Sequence, residues 1–152
     1  MVAIQLNRDM TLYDKPIYLG FVVLELSKWL MYDFHYNFIK PKYGENLLLN
    51  YMDTDSFIYT IQTDDFYYDI KNDVAAHFDT SEYPSNNIYN IPLMNKKKVG
   101  YMKDENNGKI MKEFIGLRSK MYSIDIVNGK SIKKAKGVKK TVVDALGLDS
   151  YR

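Results

Sequence analysis

The chain contains no cysteine. Disulfides and thiolate metal centres are therefore excluded, and a reducing intracellular setting is compatible with the composition. There is no long unbroken apolar run. The most apolar stretch, residues 17–39, is interrupted by Glu25, Lys28 and Asp33, which argues against a membrane span. The first twenty residues carry Arg8, Asp9, Asp14 and Lys15 in place of a continuous apolar segment, so no signal peptide is expected. Internal repeats and low-complexity tracts are also absent. What remains is the balance of a globular domain, with 152 residues, 46% hydrophobic and 26% charged, enough for one core.

Net charge is scarce as well, at +2, but it is unevenly spread. Residues 1–92 hold 6 Lys/Arg against 13 Asp/Glu, a net −7, and residues 93–152 hold 15 against 6, a net +9. Such a division suits a polyanion held beside a metal site, or simply two solvated faces of opposite sign.

Residues 1–16 read as a connector. Asp14-Lys15-Pro16 reads as a helix start, with Asp as cap and Pro in the first turn, where its missing N–H costs nothing. Leu19, Val22, Val23, Leu26, Trp29, Leu30, Asp33/Phe34 and Phe38 then mostly follow helical spacing. Pro41 is expected to end this helix, which is apolar on more than one face and should pack beneath a sheet. His35 lies in its last turns and is expected to be a structural hydrogen-bonder.

Leu47-Leu48-Leu49 and Phe57-Ile58-Tyr59 flank a short polar break, the pattern of a β-hairpin. A second helix is expected from Gln62 onward, capped by Thr63 or Asp64, with Phe66, Ile70, Val74 and Phe78 as its core stripe. Residues 79–95 read as a long loop containing Pro84 and Pro92. Strands are expected at 99–103, 109–115 and 121–127, with turns at Asn106-Asn107-Gly108 and Asn128-Gly129. Residues 130–140 carry six lysines, and a last helix is expected from Lys139 to Leu148. The fold class is α+β: an antiparallel sheet with a hairpin packed on a long helix, followed by further β-hairpins.

The chemistry concentrates in the hairpin turn, where Asp53 and Asp55 stand two residues apart. Short carboxylates on a stiff turn lose little entropy on binding a cation. Mg²⁺ takes oxygen ligands and is commonly held by one or two carboxylates plus substrate phosphates. Asp-x-Asp alone is weak, because Asp is an ordinary turn former.

The full string Tyr51-Met52-Asp53-Thr54-Asp55-Ser56 resembles motif C of the family B DNA polymerases, written Tyr-x-Asp-Thr-Asp-Ser. Residues 18–36 resemble the helix that precedes motif C in the protein-primed branch of that family. Residues 98–105 and 113–122 resemble the strands that follow it, and Lys120-Met121-Tyr122 matches the family's Lys-x-Tyr motif. Lys134-Ala135-Lys136-Gly137-Val138 fits the next segment. The resemblance covers roughly residues 10–145 and points to adenoviruses, phages, linear plasmids and Maverick/Polinton transposons.

The resemblance implies a palm-type sheet and a DNA-directed DNA polymerase using two Mg²⁺ ions about 3.5–4 Å apart. It implies Asp55 as the main metal ligand, with Asp53 beside it, and Tyr51, Thr54 and Ser56 as the shapers of the turn. Lys120 and Tyr122, with Arg118 nearby, would contact the primer strand. A Lys and a Tyr two apart on a strand share one face, so one can meet phosphate while the other packs on sugar or base. The implied partners are primer–template DNA, deoxynucleoside triphosphates and a terminal protein primer, in a nucleus or at a viral replication site, with no membrane.

Three family elements are missing. No Asp-x-x-Ser-Leu-Tyr-Pro string, which supplies motif A's metal-binding aspartate, occurs here. Motif B, with its triphosphate-binding Lys, is absent too, as are the exonuclease motifs. The expected organisation is therefore a C-terminal palm piece over residues 1–152. It would hold a helix–hairpin–helix unit at 17–78 and a basic, β-rich primer-contact segment at 96–143. Such a piece should lack polymerase activity by itself. Two further readings stand: a non-catalytic DNA-binding remnant, and a sugar-nucleotide transferase with an Asp-x-Asp metal site.

Overall fold

The computed structural model describes residues 14–129 and 131–152, so most of the 1–16 connector and Lys130 lie outside the described residues. The chain is α+β, with antiparallel pairings and a long helix. Helix α1 runs Ile17–Asp33, continues as a π-helical turn at Phe34–Ile39 and resumes as α2 at Lys40–Tyr43. Asp14 does not cap it: Pro16 occupies the N-cap position and no side chain bonds the first turn.

Pro41 does not end the helix, contrary to the sequence expectation. A proline removes one N–H and crowds the carbonyl four residues back. The π turn just before it widens the coil, with the Lys40 N–H reaching His35 O five residues back. The helix stops three residues later, at Gly44 (φ 54°, ψ −123°), a conformation that glycine adopts without a Cβ clash.

Only the second half of this long element packs. Met31, Phe34 and Ile39 are buried, whereas Tyr18, Phe21, Leu26 and Trp29 are each more than 60% exposed. The expectation of a helix lying wholly beneath a sheet therefore fails over its first half. The half that packs meets the hairpin. Strands β1 (Leu47–Asp53) and β2 (Ser56–Ile61) pair antiparallel with a bulge between Leu49 and Tyr51. Phe34 stacks on Phe57 at 6.2 Å between centroids, and His35 lies parallel to Tyr59 at 5.8 Å. His35 Nδ1 and the Tyr59 hydroxyl are 2.9 Å apart, the structural hydrogen bond expected of it. Burial, and then Lys40, push the imidazole below its ordinary pKa.

The second helix is broken into α3 (Phe66–Ile70) and α4 (Val74–His77). Its cap is Asp65, one residue beyond the two candidates, accepting from the N–H groups of Tyr67 (2.9 Å) and Tyr68 (3.1 Å). Ile70 and Val74 are buried as expected. Phe78 leaves the helix and enters β3 (Phe78–Asp79), which pairs in parallel with β4 (Met102–Lys103). The expected strand at 99–103 shrinks to that pair, because a strand needs a neighbour and only those two residues lie alongside one. Val99 is 95% exposed.

The long loop over 80–101 contains no helix or strand but is well tied. Tyr83 and Ile91 close over Val74 in a small core, flanked by Tyr67 and Tyr89. Asn95 donates to Val74 O and Phe78 O, and Thr80 donates to Pro92 O at 2.6 Å. Asp104 fastens the expected turn by accepting from the N–H groups of Asn106 (2.8 Å) and Gly108 (2.7 Å).

The basic part forms a three-stranded antiparallel sheet of β5 (Met111–Arg118), β6 (Met121–Ile126) and β7 (Ile132–Ala135). Bulges near Met111 and Gly116 interrupt the strict alternation expected over 109–115. Asn128, at φ 55°, turns the chain between β6 and β7 as expected. The last helix, α5, is shorter than expected, Lys140–Ala145.

Candidate metal and nucleic-acid site

The site is built where two tight turns meet. The first, Thr54-Asp55, joins β1 to β2 directly beneath the Asp53–Ser56 pair. Thr54 sits at φ 30°, where a β-branched residue is strained. The Asp55 N–H bonds Asp53 O, and the Ser56 hydroxyl donates to the same carbonyl at 3.2 Å. The Thr54 hydroxyl donates to Asp53 Oδ1 at 3.2 Å, so both hydroxyls of the turn bond Asp53.

The second turn, Ser119-Lys120, joins β5 to β6. Lys120 is not on a strand, so the strand-face argument for Lys120 and Tyr122 does not hold. It lies in the left-handed region at φ 58°. That backbone conformation turns both its N–H and its side chain toward the first turn. The Lys120 N–H donates to the Tyr51 hydroxyl at 2.9 Å. Lys120 Nζ donates to Asp53 Oδ1 at 2.6 Å and also bonds Oδ2. Tyr51 packs against Tyr122 and Phe114, with ring centroids 5.0 and 6.1 Å away.

The electrostatics follow this pairing. Lys120, then the Thr54 hydroxyl, hold the Asp53 carboxyl below its ordinary range against the opposing effect of burial. Asp53 in return raises the Lys120 ammonium above its ordinary value, with a smaller push from Asp55. Burial is the main cause that raises the Tyr122 phenol.

Asp53, Lys120 and Tyr122 open into one cleft of about 630 Å³, walled on the far side by Lys134, Lys136 and Lys140. These wall lysines come from the lysine-rich run; Lys134 and Lys136 also stand in the segment that resembles the family, whereas composition was the only sequence signal for Lys140. Lys133 also reaches the cleft, but its ammonium is committed to the carbonyls of Asp144 and Leu146 at the end of α5. Arg118 is exposed at the end of β5 and does not line the cleft.

The two aspartates are unequal. Asp55 is exposed and takes part in no ion pair among the described residues. Asp53 is covered by Lys120 and receives two further hydroxyls, from Thr54 at 3.2 Å and Tyr51 at 3.5 Å. Among the described residues no group of three or more acidic or histidine side chains could hold a metal. The donor chemistry nevertheless fits a hard cation held by Asp55 and Asp53, the pair of carboxylates that Mg²⁺ commonly takes beside substrate phosphates. Among the described residues no helix is long and apolar enough to cross a membrane. No family model, curated protein or solved structure matches the chain.

Proposed function

We propose that this chain is the motif C part of the palm of a family B DNA polymerase of the protein-primed type. The reaction served is addition of deoxynucleotides to a primer 3′-end, inside a cell or at a viral replication site. One observation carries the reading. Two short motifs 67 residues apart in sequence meet in space, Lys120 of Lys-x-Tyr bonding Asp53 of Tyr-x-Asp-Thr-Asp-Ser. Both turns hold a non-glycine residue at positive φ, as tight two-residue hairpin turns commonly require.

In this reading Asp55 is the first ligand of Mg²⁺, with Asp53 beside it. Mg²⁺ bound there would offset charge on the triphosphate and favour the primer 3′-oxygen as nucleophile. Lys120 and Tyr122 meet the primer strand at its end. Lys134, Lys136 and Lys140 carry positive charge along the same cleft for the adjoining phosphates. The exposed apolar half of α1 suits a piece surrounded by other parts of a larger protein. Template DNA, deoxynucleoside triphosphates and a terminal protein primer complete the partners. Without motif A and motif B the isolated chain has no polymerase activity. Primer extension by the purified chain, abolished by Asp55→Ala, would show otherwise.

The binding half of the proposal is tested by fluorescence anisotropy on primer–template DNA across a salt series. Affinity should fall linearly in log–log form, and Lys120→Ala should reduce the slope by about one counterion. No binding at low salt refutes the reading. A second reading, a non-catalytic DNA-binding remnant, is favoured by the neutralised Asp53 and by the lack of a third acidic group among the described residues. It requires DNA affinity indifferent to Mg²⁺ and to Asp55→Asn.

A further inference from the structure

We infer that Lys120 is a resident counter-ion on Asp53 that a divalent cation must displace, so that it sets the metal affinity of this site. The inference rests on the reading of Asp53 and Asp55 as metal ligands. Its basis is the geometry of one side chain. Lys120 Nζ bonds both oxygens of the Asp53 carboxylate, the position from which a cation would be held by that group. The hydroxyls of Thr54 and Tyr51 take further lone pairs of the same carboxylate. A carboxylate offers about four acceptor sites, so Asp53 has little coordinating capacity left while Lys120 stays in place.

Lys120 is not an ordinary surface lysine that visits a carboxylate. Its backbone is pinned by the N–H bond to Tyr51 and by the Lys136 N–H donating to its carbonyl at 3.0 Å. Much of the ordering cost that weakens exposed ion pairs is therefore already met by the fold. Yet its side chain remains 41% exposed, and that of Asp53 26%, so solvent and ions can reach the pair and exchange is open. Asp55, two residues on, has no such guard among the described residues. The free chain should thus hold a divalent cation mainly through Asp55, and weakly. An anion in the lysine-lined cleft that draws Lys120 away would release Asp53 to join it. Cation and strand binding then support one another, because a coupling between two ligands is reciprocal.

The test is Mn²⁺ binding to the whole chain at pH 7, read from loss of the free-ion electron paramagnetic resonance signal. Lys120→Gln should tighten Mn²⁺ about tenfold by removing one competing positive charge at contact distance. Lys120→Arg keeps the charge and should match the parent chain. In the parent background Asp53→Asn should change the affinity little and Asp55→Asn should abolish binding, which tests the idea even if Lys120→Gln does not fold. Circular-dichroism melts establish which variants are folded. A folded Lys120→Gln that binds no tighter, or Asp53→Asn as damaging as Asp55→Asn, overturns the counter-ion role while leaving the metal site standing. No saturable Mn²⁺ binding by any folded variant overturns the metal reading and the counter-ion role together.

Discussion

Tyr51→Phe removes one oxygen from the junction between the hairpin and the basic sheet. The phenol oxygen accepts the Lys120 N–H at 2.9 Å, while the ring packs against Tyr122 at 5.0 Å and Phe114 at 6.1 Å. Phenylalanine keeps the ring contacts and leaves the N–H of a strained turn without its acceptor. The contact is half-buried, so water recovers part of the bond, and the net loss should be about 1 kcal/mol. With a urea slope of about 2 kcal/mol per molar for a chain of this size, the unfolding midpoint should fall by roughly 0.5 M. Tyr51→Ala also removes the ring and should cost roughly 2–3 kcal/mol, a fall of roughly 1–1.5 M. The assay is equilibrium urea unfolding followed by circular dichroism. A Phe variant with the parent midpoint would show that the Lys120 N–H finds another partner and that the hydroxyl does not tie the two turns. Equal losses for Phe and Ala would show that the ring packing contributes nothing.

Three further perturbations probe the supporting structure. Val74 is fully buried against Tyr83 and Ile91, so Val74→Ala should cost about 2 kcal/mol and lower the melting temperature by roughly 4–8 °C in calorimetry. Asp65→Ala removes the acceptor for two N–H groups at the start of α3 and should cost about 1 kcal/mol in urea unfolding, while Asp65→Asn keeps most of it. His35 has a folded pKa below the ordinary 6.5, so the unfolded chain binds its proton more tightly. Stability should therefore rise as pH increases toward and through 6.5, and melting curves of His35→Gln between pH 5 and 8 should lose that rise.

The features legible in the sequence are those that neighbouring residues decide. The polar break between Leu47-Leu48-Leu49 and Phe57-Ile58-Tyr59 placed the hairpin turn at Asp53 to Ser56, and Asn128-Gly129 placed the turn before β7. Helical spacing identified the long helix, and the Ile70 and Val74 stripe named core residues. Where the expectation slipped, a distant or subtle partner decided. Pro41 reads as a stop, but a π turn absorbs it. A run at 99–103 reads as a strand, but only Met102 and Lys103 find a neighbour.

Spacing alone gives Asp53 and Asp55 equal standing as carboxylates on one turn, and only the resemblance put Asp55 first. The tertiary structure separates them, because the β5–β6 turn brings Lys120 onto Asp53 and leaves Asp55 open to solvent. It likewise moves Lys120 off the strand it was expected to share with Tyr122, while keeping both on one cleft. Local chemistry fixes which residues stand at a turn. Which of two carboxylates meets a cation from 67 residues away depends on how the sheets are set against each other, and no local pattern encodes that.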